Sequence, residues 1–570
     1  MKKLVYLFVL AGVFALISGC ASLEKMKENA EEINYEVKPP VPEMHNGEVA
    51  VSISGKFPEK YFHKKATALI TPVWVYEGGE TPLNPVTVQG EKVEGNNTVI
   101  KYTEGGNFSY SDKVAYKKEM MRSRLEVRIK ASKGEDSVEF PPYTIAQGIV
   151  ATPDLVQVTP KVVAAEDKFQ RNVTTSESAD IHFDKNKALL KESEKRAEDI
   201  QNMKNFIASV KKDERKKIEN MEIHGYASPE GPQDLNEELS NNRAEVAKKY
   251  IGNEFKDVEE LSDTEFFIKH ATNEDWEGFK KLINESSLEE KDMILRVLQM
   301  HSDVDQREKE FRNMTKVFQE LENEIHPKLR RSEMNLKVTL IGHSDDEIKQ
   351  LVNEDIDSLK KEELMYAATL FDDYNKKLSI YQAFVSQYPD DWRGHNNVGV
   401  AQFELGNYKA AATAFEKAKN ANANATVHNN IGAVELINGN IDKAEENFTS
   451  ATGVGDAVSY NMGIVKIKQA DYEQAVSYYG DNCCFNAALA NVLTGNLDEA
   501  IRHAECGDDK DEAMNYYIKA VAGARKSDTE LMYNNLRTAC TKDASLKQFA
   551  AKDVEFIDYF EQQTFKNIVE

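Results

Sequence analysis

The 570-residue chain is short of basic residues, of cysteine and of long apolar runs, and each shortage excludes something. Lysine and arginine total 72 against 96 acidic residues, a net charge of −24. A surface of that sign repels polyanions, so no nucleic acid is expected as a partner, and an anionic membrane would not hold the chain by charge. Beyond residue 20 no apolar run is long enough to span a bilayer. Cysteine occurs five times, and the last four stand late, at Cys483, Cys484, Cys506 and Cys540. No Cys-x-x-Cys or clustered histidine accompanies them, which argues against a metal site. The sequence also lacks Gly-x-Ser-x-Gly, His-Glu-x-x-His and a phosphate-binding loop, and its 11 histidines are scattered. Neither an enzyme nor a cofactor is expected on these grounds.

At the amino terminus Lys2 and Lys3 precede the apolar stretch Leu4–Ile17, too short for a membrane span and of the build of a secretory signal. Ile17-Ser18-Gly19-Cys20 resembles the bacterial lipobox. The resemblance implies removal of residues 1–19 and lipidation of Cys20, each buried methylene contributing about 0.8 kcal/mol to the anchor. Residues 20–45 are charged and end in Lys38-Pro39-Pro40-Val41-Pro42, which reads as a lipidated linker. Export implies an oxidising compartment, in which Cys483 or Cys484 with Cys506 would be open to one disulfide whose pairing the sequence leaves undecided.

Residues 46–158 read as β structure. Val49/Val51/Ile53, Ala68/Ile70, Val73/Val75 and Leu125/Val127/Ile129 alternate with polar residues, and Gly78-Gly79, Gly95-Asn96-Asn97 and Gly105-Gly106 supply turns. Short strands at this spacing predict a β-sandwich of immunoglobulin-like build, a spacer or docking surface without chemistry of its own.

The central region turns on Met221–Ile251. Met221 and Ile223 alternate into Gly225 like a half-buried strand, and from Gln233 the pattern becomes helical, with Leu235, Leu239, Val246 and Tyr250 on one stripe. Arg243 lies on that stripe, so its charge must meet a carboxylate or another anion. Asn236, Leu239, Ser240, Arg243 and Ala244 reproduce Asn-x-x-Leu-Ser-x-x-Arg-Ala, and this stretch resembles the OmpA-like peptidoglycan-binding domain. The resemblance implies a central α/β domain over 160–345, beginning with the strand at Ile181–Phe183 and the helix Glu192–Lys212. It would close with Arg330-Arg331 and Leu336–Leu340. Asn253–Leu329 reads as a helical insertion, cheap in loop entropy. By the same resemblance Arg243 holds the free carboxylate of a diaminopimelate stem peptide, for which a planar guanidinium is suited. The family's loop aspartate corresponds to Ser228, which is neutral, and Glu230 is the nearest acid. Gly342-His343-Ser344-Asp345 looks like the family's loop too. No Leu-Ser-x-x-Arg-Ala helix follows it, so Asp345–Glu347 reads as a helix start.

From about residue 362 to 560 a repeat governs the chain. Small residues at Gly399, Gly432, Gly463 and Ala488 stand 33, 31 and 25 apart, with Gly406, Gly439, Ala470 and Gly495 seven residues later and Ala411, Ala444, Ala475 and Ala500 twelve later. This resembles the tetratricopeptide repeat, implying an all-α solenoid of helix pairs with a degenerate first unit at Leu364–Pro389. Two residues before each small residue stands an asparagine, Asn397, Asn430, Asn461 or Asn486. By the resemblance that position lies on the concave surface, where a row of amides can donate to and accept from an extended peptide.

The expected whole is a multidomain, non-enzymatic envelope scaffold. It would be lipid-anchored to the outer membrane and periplasm-facing, tethered to peptidoglycan through Arg243, Ser228 and Asn236, and would recruit envelope proteins through its repeats. The alternative is an accessory subunit of an outer-membrane assembly or secretion machine, whose OmpA-like domain docks proteins without binding the wall.

Overall fold

The computed structural model describes residues 22–256, 258 and 265–570. The expected signal segment and the expected lipidation site Cys20 lie outside the described residues. The chain divides into two compact units, Met1–Glu166 with Asp373–Glu570, and Asp167–Asp372.

The amino-terminal part of the first unit is sheet-rich. Glu48–Phe57 pairs antiparallel with Asn34–Lys38, Met44–His45 and Gly106–Ala115. A second, seven-stranded sheet is centred on Thr67–Tyr76 and Ser123–Lys133. Strict alternation along Glu48–Phe57 sends Val49, Val51, Ile53 and Phe57 into a core shared with Trp74, Leu125 and Val127 of the other sheet.

The expected linker at 20–45 is corrected here. Residues 22–28 are helical, and Leu23 and Met26 are buried in the sheet core with Ile33 and Val37. Tyr61 Oη donates to the Met26 carbonyl at 2.5 Å. The charged residues of this stretch are the solvent side of an apolar stripe, which average composition conceals. The boundary at 158 moves as well. The last strand ends at Gln147, and after a short 3-10 turn at Thr152–Leu155 the chain leaves the sheets as a strap over residues 156–166.

The second unit is built on four strands, β1 (Asn172–His182), β2 (Lys216–Tyr226), β3 (Phe267–Thr272) and β4 (Arg331–Ile341), in the order β1-β4-β2-β3. β4 is antiparallel to both neighbours, and β3 runs parallel to β2. Helices α1 (Glu198–Val210) and α2 (Gln233–Glu254) contribute Ile200, Met203, Ile207, Ala244 and Ala247 to the core over one face. Gly225 lets strand and helix touch, since a Cβ there would stand 2.0 Å from the Ser240 carbonyl oxygen. The helical insertion expected at 253–329 is corrected in part: it contains β3, an edge strand of six residues. Only one of those six is buried, so β3 carries too weak an alternation to be read. The helices from Trp276 to Leu329 form their own small core around Phe279, Ile294 and Phe311.

The carboxyl-terminal part of the first unit is all-helical and tetratricopeptide-like. Trp392–Glu404 pairs with Tyr408–Ala421, Ala425–Ile437 with Ile441–Ser450, Asp456–Lys468 with Tyr472–Tyr479, and Phe485–Leu493 with Leu497–Cys506. The helix Tyr374–Gln387 precedes them, and the pair Ala513–Arg525 and Thr529–Lys542 follows. The small-residue row is explained by approach distance. A Cβ on Gly399, Gly432 or Gly463 would fall 2.4, 2.7 or 2.4 Å from the ring of Phe415, Phe448 or Tyr479 on the second helix. Of the sulfurs left open by sequence, Cys483 bonds to Cys506.

Candidate functional sites

Two residues along a helix turn it by about 200°, so an asparagine two before the packed small residue faces away from the partner helix. Each predicted asparagine is buried there against the chain's own strap. Asn397 accepts from Ala165 N at 2.7 Å and donates to Ala165 O at 2.9 Å. Asn430 makes the same pair with Val163, both bonds at 2.7 Å. Asn461 pairs with Lys161 at 2.7 and 2.9 Å, and Asn486 with Gln157 at 2.9 and 2.8 Å. The strap runs opposite to the repeats, its later residues meeting the earlier helices. Each side-chain amide reads one residue as a neighbouring β-strand would.

A second row escaped the sequence reading. Asn396 donates to Val163 O at 3.1 Å and Asn429 to Lys161 O at 3.0 Å. The amides also bond to each other, Asn430 to Asn396 Oδ1 at 2.9 Å and Asn461 to Asn429 Oδ1 at 3.1 Å. The doublets Asn396-Asn397 and Asn429-Asn430 were the available signal. In the next repeat the position is Tyr460, whose hydroxyl lies 3.2 Å from Thr159 Oγ1 and whose ring sits 4.4 Å beneath Lys161 Nζ. Val162 packs beside Val400, Phe415 and Ile431, and Val156 joins the core of the later repeats. With Asn396 and Asn430 0% and Asn397 1% exposed, these groups meet the strap and no solvent. The bonds described from the asparagines to the strap all go to its main chain, so the clamp demands an extended backbone and is indifferent to most side chains.

The second site lies at the loop between β2 and α2. Arg243 is 1% exposed, and its guanidinium donates to Tyr226 O at 2.8 Å, Lys187 O at 3.2 Å and Asp184 O at 3.5 Å. The expectation that this charge meets a carboxylate or another anion is therefore corrected: among the described residues no carboxylate stands within ion-pair distance of Arg243, and carbonyl oxygens accept its hydrogen bonds. Burial, with Arg330 nearby, pushes its pKa down to about 10. Ser228 is buried and donates to Glu230 Oε1 at 2.7 Å, and Asn236 donates to Gly231 O at 3.1 Å, shaping the loop.

Glu230 is the centre of this loop. Arg330 Nη1 reaches Oε1 at 2.5 Å, while His326 Nδ1 and Lys185 Nζ stand 3.2 and 3.3 Å from Oε2. Burial acts to raise its pKa, but His326, Ser228 and Arg330 outweigh it and hold the carboxyl well below the ordinary value. His326 comes from the short helix His326–Leu329 at the end of the insertion, so the inserted helices help to close the loop. Sequence marked Glu230 as the nearest acid, but Lys185, His326 and Arg330 lie 45 to 100 residues away from it and left no local pattern. Elsewhere, Ser344 caps the helix Asp345–Glu354, and Asp345 pairs with Arg171. Cys483, Cys506 and His503 converge at one place, but the first two are spent in the disulfide and His503 Nδ1 is 2.8 Å from Asn482 O. Among the described residues no helix is long and apolar enough to cross a membrane.

This geometry defines a helical-repeat solenoid whose concave amides grip an extended segment. A family model of the tetratricopeptide repeat matches residues 393–424. Among solved structures, the chain is similar to the Cut9-Hcn1 hetero-tetramer of APC/C at 13% identity and a TM-score of 0.32, covering 40% of this chain and 46% of that one. It thus spans less than half the length of that relative. YrrB, a TPR protein with an unusual peptide-binding site, is 21% identical at a TM-score of 0.26, over 30% of this chain and 97% of that one. A tetratricopeptide repeat protein from Parabacteroides merdae is 13% identical at a TM-score of 0.28, over 37% and 91%. No curated protein of matching sequence was found. The repeats point to a protein-interaction scaffold.

Proposed function

We propose that this is a non-enzymatic scaffold of the bacterial envelope, held to the outer membrane by a lipid on Cys20 and facing the periplasm. Its central unit is an OmpA-like module that docks protein rather than the cell wall. The order β1-β4-β2-β3, the parallel β2/β3 pair and the closeness of Gly225 to α2 support the OmpA-like reading beside the motif from Asn236 to Ala244. The observation that carries the docking role is Glu230. Its carboxylate takes the charge of Arg330 and Lys185 and acts electrostatically on Arg243, which is itself sealed from solvent. A stem peptide would find Arg243 already engaged by carbonyl oxygens and the neighbouring cations already paired with a buried carboxylate. Within the first unit, the repeats clamp the strap that runs on from the sheets, so the two parts form one body for partners to meet.

Peptidoglycan tethering is the second reading, favoured by the bonds of Arg243, which reach only carbonyl oxygens among the described residues. Co-sedimentation of the full chain with isolated sacculi decides between them. The docking reading predicts no pelleting above a protein control. Pelleting that Arg243→Ala abolishes would replace it with the tether.

A further inference from the structure

The folded segment at residues 22–38 bears on what a lipid on Cys20 would do. In sequence, Ala21 alone separates Cys20 from Ser22. Consecutive Cα atoms are 3.8 Å apart, so Ser22 stands no more than about 8 Å from Cys20. The headgroup layer of one leaflet is roughly 5–8 Å deep. Ser22 has no slack, because Leu23 and Met26 are buried in the sheet core, and Lys133 Nζ lies 3.3 Å from Ser22 Oγ.

Beside Ser22 opens a cavity of about 170 Å³, lined among others by Lys25, Asn29, Lys60, His63 and Tyr102. Its acidic member is Glu32, and Glu59 lies 3.8 Å from Lys60. Lys65 and Lys133 stand close enough to act on His63 electrostatically, and Lys64 lies over the Tyr102 ring at 5.4 Å while pairing with Glu91 at 3.2 Å. In a chain of net charge −24, lysines and an exposed tyrosine meet at the place nearest the acylated residue. Both residue types are suited to headgroup depth, with an apolar body and a polar or charged tip.

We propose that the sheet domain sits directly on the bilayer that carries the lipid, with the cavity of Lys25, Lys60 and His63 beside Ser22 taking a headgroup phosphate. The proposal rests on the reading of Cys20 as lipidated. The anchor and the seat then act as two signals, and together they fix the orientation of the domain at the surface.

The test uses the acylated full chain in vesicles of phosphatidylethanolamine and phosphatidylglycerol, read by hydrogen exchange at residues 58–66 and 99–105. A second chain carries a Gly/Ser spacer of about twelve residues between Ala21 and Ser22. Both chains float with vesicles, and protection of the two segments is expected in the native chain alone, weakening in K25E/K60E. Equal exchange in native and spacer chains, or protection indifferent to the charge reversal, would overturn the seat. Protection by inorganic phosphate without vesicles would assign the cavity to a soluble anion and overturn it as well. The mass of the Cys20 peptide reads acylation separately, so failure of the anchor is distinguishable from failure of the seat.

Discussion

Replacing Asn430 with alanine removes the acceptor of Val163 N–H and one of the two donors to Val163 O, the other being Asn396. The orphaned N–H lies in a buried groove, and leaving such a group unsatisfied costs about 1–3 kcal/mol. The lost amide bond between Asn430 and Asn396 adds about 1 kcal/mol. Docking of the strap should therefore weaken by about 2–4 kcal/mol, which opens it about 30- to 700-fold more often. Lys161 lies within the strap, so tryptic cleavage of the Lys161–Val162 bond reports the open population when opening is fast relative to cleavage. Cleavage should accelerate in Asn430→Ala and not in Asn447→Ala, a change on the outer helix Ile441–Ser450. Val163→Pro deletes the same N–H from the other side, so the double variant should lose less than the two single losses added together. An Asn430→Ala cleavage rate within about twofold of the native rate would refute the clamp as a source of docking energy.

Three further outcomes follow from the same structure. The Glu230 carboxyl titrates lower folded than unfolded, so its contribution is complete above the ordinary value of 4.5 and lost as pH falls; urea unfolding of the central unit should show this acid loss, and Glu230→Gln should flatten it. Asp553 behaves oppositely, since burial and then Glu555 push its pKa up to about 7, beside a 2.6 Å bond from Tyr517. That contribution is present below 3.8 and is lost as pH rises through about 7, so Asp553→Asn should stabilise the repeats at about pH 8 in denaturant unfolding and leave them less pH-dependent. Gly432→Ala places a methyl 2.7 Å from the Phe448 ring and should destabilise the array by about 1–3 kcal/mol by thermal melting.

The solenoid was legible because each helix pair repeats its packing constraint: a small residue opposite a ring, and an amide on the other face. The partner of those amides was not. Residues 157–165 offer only main-chain groups to the asparagines across sequence separations of 232 to 329, and main-chain groups leave no residue signature. The same limit hid β3, whose pairing with β2 is carried by backbone with one buried side chain. The segment at 22–38 failed for another reason. Leu23, Met26, Ile33 and Val37 are spaced among charges, and a composition-based linker assignment averages them away. Arg243 and the motif around it were readable locally, but the choice of carbonyls over a carboxylate depends on loops brought in from Asp184, Lys187 and Tyr226.

Amide hydrogen exchange along the strap of the native full chain tests the central claim most directly. If the asparagines hold the segment, the amides of Gln157, Lys161, Val163 and Ala165 exchange far more slowly than those of a free peptide of the same sequence, and Asn430→Ala releases Val163 first. Exchange of all four at the free-peptide rate would contradict the account, leaving the groove open for another chain.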